Sequence, residues 1–249
     1  MDAMLFAAGM GKRLKPLTDT TPKALIRVAG KALIDHILER LQDAGARRVV
    51  INVHHYAEQI IAHLQHHSYS LDIVFSNEQP ELLDTGGGLR HAAHYFPGGR
   101  EAHPILLHNV DILSNADLAA FYAAHTASKA ALLVSERIAT RYLLFDDELR
   151  LRGWINATTG EIRSPYAQLD LDRLHRYAFS GIHTFSPSLF PLMERFPRKF
   201  SITEFYLSVC DRVPILAHPC NGLKVLDVGK VEAIAQAETF LQTLGYKQL

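Results

Sequence analysis

The feature that most constrains this chain is a short apolar segment that ends in two glycines and is followed at once by two cations. It reads Leu5-Phe6-Ala7-Ala8-Gly9-Met10-Gly11-Lys12-Arg13-Leu14, and Lys23 follows later, directly after Pro22. Glycine lets a backbone approach an anion closely, and exposed N–H groups then point at it. The three cations can balance the charge of a triphosphate. The segment therefore predicts a phosphate-binding turn at the end of a buried strand.

Two common nucleotide-binding motifs do not fit this spacing. A P-loop has the form Gly-x-x-x-x-Gly-Lys-Ser/Thr, and the sequence contains no such run. A dinucleotide-binding fingerprint needs a further glycine at the position of Leu14. An ordinary strand-to-helix turn would explain Gly9 and Gly11, but it would not explain the cations that follow them.

Composition excludes several functional classes. The 249 residues carry a formal net charge of zero without a long basic stripe, which argues against a nucleic-acid partner. The two cysteines, Cys210 and Cys220, have neither metal-ligand nor disulfide spacing. A signal-peptide pattern is missing, and no stretch approaches the roughly 20 apolar residues of a membrane span. We therefore expect a cytoplasmic protein that acts on small molecules and has no membrane partner.

The fourteen histidines are scattered, and no His-x-x-x-His pair flanks a glutamate. We interpret them as solvated or core-filling residues, which make the surface charge sensitive to pH near about 6.5.

Apolar periodicity alternates between strands and helices, which favours an α/β fold with a parallel sheet covered on both faces. Between residues 141 and 164 the pattern changes to short strands and turns, which indicates antiparallel hairpins. We expect a single domain over residues 1–249, with a hairpin insert at about 140–185. The predicted strands cover 1–8, 48–53, 71–75, 105–111, 130–134, 177–185 and 225–229. The predicted helices cover 33–44, 57–65, 89–94, 117–125, 189–195, 201–211 and 231–241.

Two further features point to a ligand site. Asp111 follows an apolar strand, and ligands of open α/β sheets bind beyond the carboxyl ends of strands. A cap on the next turn is the structural alternative for this aspartate. Three consecutive glycines, Gly86 to Gly88, are costly in chain entropy and imply a close backbone approach. A flexible glycine loop without a ligand is the alternative there.

The opening segment resembles a known family. Its pattern Leu-x-Ala-Ala-Gly-x-Gly-x-Arg-x-x-Pro-Leu-Thr, followed by Thr-Pro-Lys, is similar to the opening signature of the sugar-1-phosphate nucleotidyltransferases. The resemblance implies the nucleotide-diphospho-sugar transferase fold, with a Rossmann-like mixed, mostly parallel sheet, helices on both faces and a small hairpin insert. It also implies transfer of a nucleoside monophosphate from an NTP to a sugar-1-phosphate, with release of pyrophosphate.

The resemblance also implies roles for individual residues. Arg13, Lys23 and Asp111 would be catalytic, and Asp111 and Asp227 would together hold Mg²⁺. Contacts to the sugar are expected from Gly181, Glu204 and Asn156, although a bulge, a capping box and hairpin packing are alternatives for this set. The nucleotide-binding residues implied are Ala7, Ala8, Gly9, Met10, Gly11, Lys12, Thr85, Gly86 and Gly87.

The sequence departs from the family pattern in three places. Val110 stands where glycine usually precedes the aspartate, Lys230 stands where threonine is more common, and the Glu-Lys-Pro segment of many relatives is missing. The first two departures motivate the alternative of a non-catalytic sugar-nucleotide-binding subunit. Asn109-Val110-Asp111 imitates the Asp-x-Asp of metal-dependent glycosyltransferases, but a triphosphate-binding turn would be idle with a diphosphate donor.

The Thr-Gly-Gly-Gly form is similar to that of N-acetylmuramate-1-phosphate uridylyltransferases. It favours UTP with an N-acetylmuramate- or hexose-1-phosphate as substrates. GTP with mannose- or heptose-1-phosphate is the next alternative, and choline-phosphate cytidylyl transfer is a more distant one. We expect a monomer or a homodimer.

Overall fold

The structure is a computed structural model that describes residues 1–99 and 102–244. Its contacts divide the chain into two compact units. Unit 1 comprises Met1–Leu82, His108–Ala120 and the segment that begins at Leu223. Unit 2 comprises Leu83–Leu107 and Phe121–Gly222. The predicted organisation as a single domain stays a prediction.

The helices and strands follow one another along the chain in an α/β pattern. In chain order they are β1 (Asp2–Phe6), β2 (Arg27–Val28), β3 (Lys31–Ala32), α1 (Leu33–Asp43), β4 (Arg48–Val53), α2 (Ala57–Gln65), β5 (Asp72–Asn77), α3 (Asp84–His91), β6 (Ile105–Asn109), β7 (Ile112–Ser114), α4 (Leu118–Ala124), β8 (Ala130–Ser135), β9 (Arg141–Phe145), β10 (Leu151–Asn156), β11 (Ile162–Arg163), β12 (His175–Phe185), α5 (Phe190–Met193), α6 (Ile202–Val209), β13 (Ile215–Pro219), β14 (Val225–Asp227) and α7 (Val231–Thr243).

Unit 1 contains parallel strands whose carboxyl ends share one edge. β1 pairs with β4 and β4 pairs with β5, with Phe6 opposite Asn52. β1 and β4 are short, largely apolar runs that are almost wholly buried, as expected for parallel strands covered by helices, whereas β5 is only partly buried. α1 buries an apolar face of Leu33, Ile34, Ile37, Leu38 and Leu41, all of them fully inaccessible. The turn after β1 therefore begins at the edge where parallel strands present ligand sites.

Unit 2 is dominated by antiparallel pairing. β12 pairs with β8 and β9, β9 pairs with β10, and β10 pairs with β11. β13 adds to β8 in parallel. The register of β12 against β8 shifts between Phe179 and His183, which marks a bulge in the strand.

These observations confirm the α/β class and a mixed sheet that is parallel in part. The bounds predicted for β4 and α2 coincide with those observed. β13 was not predicted, because its apolar run of Ile215, Leu216 and Ala217 is short and prolines stand at positions 214 and 219. Among residues 1–99 and 102–244, no helix combines the length and the apolar character that a membrane crossing requires.

Candidate active site

The turn that follows β1 needs a glycine at Gly11. Its φ of 61° lies in the left-handed region, and a Cβ there would lie 2.8 Å from Cγ2 of Thr18 and 3.1 Å from Cβ of Lys23. The Thr18 hydroxyl also donates to the Gly11 carbonyl at 2.9 Å. The close backbone approach that the sequence predicted at this turn is therefore an approach to Thr18 and Lys23 of the same chain. It places Lys23 against the turn.

A buried amide fixes the start of this turn. Oδ1 of Asn52, on β4, accepts hydrogen bonds from the backbone N–H groups of Ala7 at 2.7 Å and Ala8 at 3.3 Å. Nδ2 of Asn52 donates in turn to Oε1 of the buried Glu78 at 2.6 Å. Asn52 was not predicted to be a site residue, although a polar residue inside the apolar run of β4 is a visible signal in the sequence.

Lys23 and Asp111 form an ion pair within unit 1. The Lys23 side chain is 10% exposed and that of Asp111 is 19% exposed, so the pair is shielded from most of the solvent. Asp111 lies between β6 and β7, and the N–H of the preceding Val110 donates to the Phe6 carbonyl at 3.1 Å. This hydrogen bond places the aspartate beside the end of β1, where the glycine turn begins.

The second acidic residue, Asp227, lies on β14 and is a neighbour of the first acidic residue, Asp111. β14 pairs antiparallel with β7, with Asp227 opposite Ile112, and the N–H of Val228 donates to the Asp111 carbonyl at 2.8 Å. Nη2 of Arg13 lies 3.8 Å from Oδ2 of Asp227. Unit 1 therefore brings together the four side chains that the resemblance selected, Arg13, Lys23, Asp111 and Asp227.

Gly229 leaves room for the contact between Arg13 and Asp227. A Cβ on Gly229 would lie 2.5 Å from Nη2 of Arg13 and 2.5 Å from Oδ1 of Asp227. Real side chains do not approach so closely, so any larger residue would displace one member of the pair. Gly229 was not selected as a site residue, because a lone glycine after a strand is usually part of a turn.

The arrangement suits both phosphate and a divalent cation. Lys23 and Arg13 offer donors to anionic oxygens, whereas Asp111 and Asp227 offer only oxygen ligands. Oxygen-only carboxylate sets fit hard cations such as Mg²⁺. The residues present therefore fit the divalent metal that the resemblance implies.

His108 is a buried group near this site that the sequence analysis did not single out. Its Nε2 has no hydrogen-bond partner among the described residues, and Nδ1 lies 2.8 Å from the Asn109 carbonyl. Burial lowers the pKa of His108 to about 4, and the charge of Arg40 acts in the same direction. The ring is therefore neutral near pH 7, and it adds no positive charge behind Asp111.

The helix predicted over residues 89–94 begins earlier, and in unit 2 it includes the glycines that precede those residues. Thr85, Gly86 and Gly87 lie in α3, and a Cβ on Gly86 would lie 2.4 Å from the ring of Phe200. A Cβ on Gly87 would lie 2.4 Å from the Arg198 carbonyl. These glycines let a helix pack tightly on a neighbouring segment, and that need explains them without a ligand. Their contacts to a nucleobase stay a prediction.

The residues predicted to contact the sugar have structural partners within unit 2. Gly181 lies at the bulge of β12 with φ 79°. Oε2 of Glu204 accepts from the Ser201 N–H at 3.0 Å, which completes the capping box of α6. Oδ1 of Asn156 accepts from the Thr158 N–H at 2.9 Å at the end of β10. Each structural alternative is thus present, and a role in sugar binding stays a prediction for all three residues.

Two residues that depart from the family pattern, Val110 and Lys230, fit their local surroundings. Val110 is 4% exposed and packs in the core. Lys230 is the exposed N-cap of α7, and its side chain makes no capping hydrogen bond. Val110 therefore does not project into the solvent beside Asp111.

Residues 2–143 match the sequence profile of the family described as Nucleotidyl transferase. The chain is 45% identical over 112 residues to N-acetylmuramate alpha-1-phosphate uridylyltransferase of Caulobacter vibrioides, covering 44% of this chain and 45% of that protein. It is 43% identical over 123 residues to the enzyme of the same name from Neisseria meningitidis, covering 49% and 52%. The matches thus span about half the length of these two relatives.

A longer match is more distant. Mannose-1-phosphate guanylyltransferase catalytic subunit beta of Drosophila pseudoobscura is 26% identical over 235 residues, covering 92% of this chain and 59% of that protein. Among solved structures, HddC from Yersinia pseudotuberculosis, complexed with GMP-PN, has a TM-score of 0.74 at 22% identity and covers 96% of this chain and 99% of its own. A putative glucose-1-phosphate thymidylyltransferase from Bacillus anthracis has the same TM-score of 0.74 at 15% identity, covering 99% and 97%. These structural likenesses establish the fold alone.

Proposed function

The chain belongs to the nucleotidyl transferase family, and we propose that it transfers a nucleoside monophosphate from an NTP to a sugar-1-phosphate. The observation that carries the proposal is the convergence of the cationic turn on two acidic residues in unit 1. Lys23 contacts Asp111, and Arg13 lies 3.8 Å from Asp227. Asp227 lies on β14, which pairs with β7, and the N–H of Val228 donates to the Asp111 carbonyl, so the two acidic residues are neighbours. A site for a diphosphate donor would not need this number of cations.

The reaction is an in-line displacement at phosphorus. An oxygen of the sugar-1-phosphate forms a bond to the α-phosphorus of the NTP, and the bond from that phosphorus to the bridging oxygen of the β-phosphate breaks. Pyrophosphate leaves with the electron pair, and a nucleoside diphosphate sugar remains. The attacking oxygen is already anionic, so the reaction needs no general base. Holding two anionic substrates together is the main task of the protein.

The residues of unit 1 are proposed to meet that need. Lys23 offsets the charge that grows on the α-phosphoryl oxygens, and Arg13 holds the departing pyrophosphate. Asp111 and Asp227 would hold the divalent metal that the family typically uses, for which we propose Mg²⁺. When bound, this ion supplies positive charge and orientation at the α-phosphate.

The identity of the base and the sugar is proposed from the relatives. UTP with N-acetylmuramate- or hexose-1-phosphate is the first proposal, because the 45% and 43% identical relatives are uridylyltransferases. The second is GTP with mannose- or heptose-1-phosphate, since the guanylyltransferase match covers 92% of this chain. Base contacts are proposed for Thr85, Gly86 and Gly87, and sugar contacts are proposed for Asn156, Gly181 and Glu204. We propose a monomer or homodimer, which light scattering will decide.

A matrix of nucleoside triphosphates against sugar-1-phosphates, read by pyrophosphate release, tests the proposal. We expect release only when both substrates and a divalent metal are present, and fastest with UTP. Binding of both substrates without turnover would favour a non-catalytic subunit. Sugar transfer from a nucleotide sugar without pyrophosphate would favour a glycosyltransferase. Either outcome would overturn the proposed function.

A further inference from the structure

A cluster of polar side chains joins α1 and α2 in unit 1. It consists of Asp35 on α1, His63 on α2, His67 just beyond the end of α2, and Tyr69. Asp35 is a buried carboxylate whose side chain is 6% exposed, and it lies in the apolar face of α1. A buried charge of this kind needs partners. The phosphate-binding residues described above take no part in the cluster.

Asp35 is held by two donors. Its Oδ1 lies 2.8 Å from Nε2 of His63 and accepts from the Tyr69 hydroxyl at 2.7 Å. Its Oδ2 lies 3.0 Å from the same histidine nitrogen. The Tyr69 hydroxyl donates its hydrogen bond from outside the pair formed by Asp35 and His63. This outer hydrogen bond orients the carboxylate toward His63.

The orientation of His67 is fixed in the way that metal-binding histidines are. Its Nδ1 lies 2.8 Å from the His63 carbonyl and can only donate to it. The tautomer with hydrogen on Nδ1 carries its lone pair on Nε2. A backbone carbonyl that fixes the second ring nitrogen is the usual support of a histidine ligand. The rings of His63 and His67 lie 4.3 Å apart between their centroids.

The ligand atoms of Asp35, His63 and His67 all lie within 4.8 Å of one another. Zinc bonds to nitrogen and oxygen ligands are about 2.0–2.2 Å long, so ligands of one ion lie roughly 3–4 Å apart. The pair formed by Asp35 and His63 is already at such a separation. Any larger gap involves His67, which is exposed and lies beyond the end of α2, so a small shift of this residue can close the gap without disturbing the core.

We propose that Asp35, His63 and His67 form a Zn²⁺ site, with solvent completing a tetrahedral shell and Tyr69 supporting the carboxylate. Two imidazoles and one carboxylate select zinc over magnesium, which prefers an all-oxygen shell. An ion bound here takes the place of the hydrogen between His63 and Asp35, and that hydrogen moves to Nδ1 of His63. The ion then links α1 to α2.

Metal titration of the untagged chain tests this site. Co²⁺ alone serves as the spectroscopic probe and Zn²⁺ as the competitor, with Mg²⁺ in large excess to occupy carboxylate-only sites. We expect one equivalent of Co²⁺ to give the visible absorption of a tetrahedral complex, which Zn²⁺ abolishes. Saturating Zn²⁺ should also raise the Tm, since it binds only the folded state.

Two variants on the same surface make the test specific. His67→Ala should weaken Zn²⁺ binding at least tenfold without loss of folding, because His67 is exposed. His66→Ala is the matched control, since His66 is an exposed neighbour outside the cluster, and it should bind as the wild type does. Asp111→Asn should also retain the zinc site. Equal affinity in His67→Ala and the wild type, or no stoichiometric binding at all, would overturn the proposal. Loss of the cobalt absorption in Asp111→Asn would do so as well.

Discussion

The ammonium of Lys23 contacts the carboxylate of Asp111, although the two residues are 88 positions apart in the sequence. Lys23 lies in the segment that follows the glycine turn, and this segment packs against Gly11. Asp111 follows β6, and the hydrogen bond from Val110 to Phe6 holds it beside the end of β1. A shielded cation next to a carboxylate can act on phosphate oxygens, because little solvent screens its charge.

Replacing Lys23 with alanine should lower turnover about 10²–10³-fold, since a charge partner of the transition state is removed. Pyrophosphate release under saturating substrates measures the effect. Lys15→Ala is the matched control, because Lys15 is an exposed cation whose Nζ lies 2.9 Å from Asp19, and it should retain activity. Unchanged turnover in Lys23→Ala would refute the assigned role.

Asp111→Asn should abolish metal-dependent activity, because the amide is a poorer ligand for a hard cation and a poorer partner for Lys23. The measurement is pyrophosphate release as a function of Mg²⁺ concentration. Asp72→Asn, which alters an exposed carboxylate paired with Arg48, should leave the metal dependence unchanged. A mutant at position 111 with a normal metal titration would show that the carboxylate is not a ligand.

Gly229→Ala should reduce activity by at least about tenfold, because the new methyl group forces Arg13 or Asp227 out of place. The clash is with the ends of side chains, so the free energy of unfolding should change little. Steady-state kinetics together with urea unfolding separate these effects. Gly98→Ala, whose Cβ would meet no atom of the described residues within 4 Å, serves as the control. Full activity in Gly229→Ala would mean that the contact between Arg13 and Asp227 is dispensable.

Gly87→Ala should destabilise the protein by about 1–3 kcal/mol, the typical cost of overpacking. Its Cβ would lie 2.4 Å from the Arg198 carbonyl, which is backbone and cannot rotate away. Urea denaturation gives the change in unfolding free energy. A neutral substitution would show that α3 can move relative to the segment at Arg198.

The stability of the protein should fall as the pH is lowered below about 6.5. Nε2 of His125 lies 2.9 Å from Nδ1 of His218, and burial lowers the pKa of both rings below the ordinary value of 6.5. For His125, the neighbouring His218 lowers the pKa further. The unfolded chain then binds more protons than the folded chain below this pH, so acidification favours unfolding.

Urea unfolding at a series of pH values, from about 7.5 to 5, measures the dependence. His218→Gln removes one of the two titrating rings and should flatten the curve, whereas His66→Gln, at an exposed site, should leave it unchanged. A curve for His218→Gln as steep as that of the wild type would exclude this pair as a source of the acid sensitivity.

Much of the fold was predictable because apolar periodicity reports burial directly. The strand at Arg48–Val53 and the helix at Ala57–Gln65 follow from that pattern alone. The helix over Asp84–His91 was predicted to begin only at residue 89, because a run of glycines disfavours a helix unless a neighbour requires a bare helix surface. That neighbour, Phe200, lies far away in the sequence, so local reasoning could not identify it.

At the candidate site, the sequence shows the cations as a local motif after the first strand. It shows Asp111 as a polar residue at the end of another strand. The pairing of Asp227 with Asp111 came from the resemblance only, since spacing does not report on pairing between distant strands. The contact between Arg13 and Asp227 was not predicted. Asn52 and Gly229 were missed because each supports other residues and shows no chemistry of its own. Such supporting positions become visible only when three-dimensional neighbours are known.

The strand pairing of β14 with β7 also has a consequence for biosynthesis. Arg13 precedes Asp227 by most of the length of this sequence, and a chain is synthesised from its amino end, so a ribosome releases Arg13 long before β14. The contact between Arg13 and Asp227 therefore cannot form during folding of the shorter nascent chain. The proposed phosphate site gains the second of its proposed acidic residues only after β14 has been released.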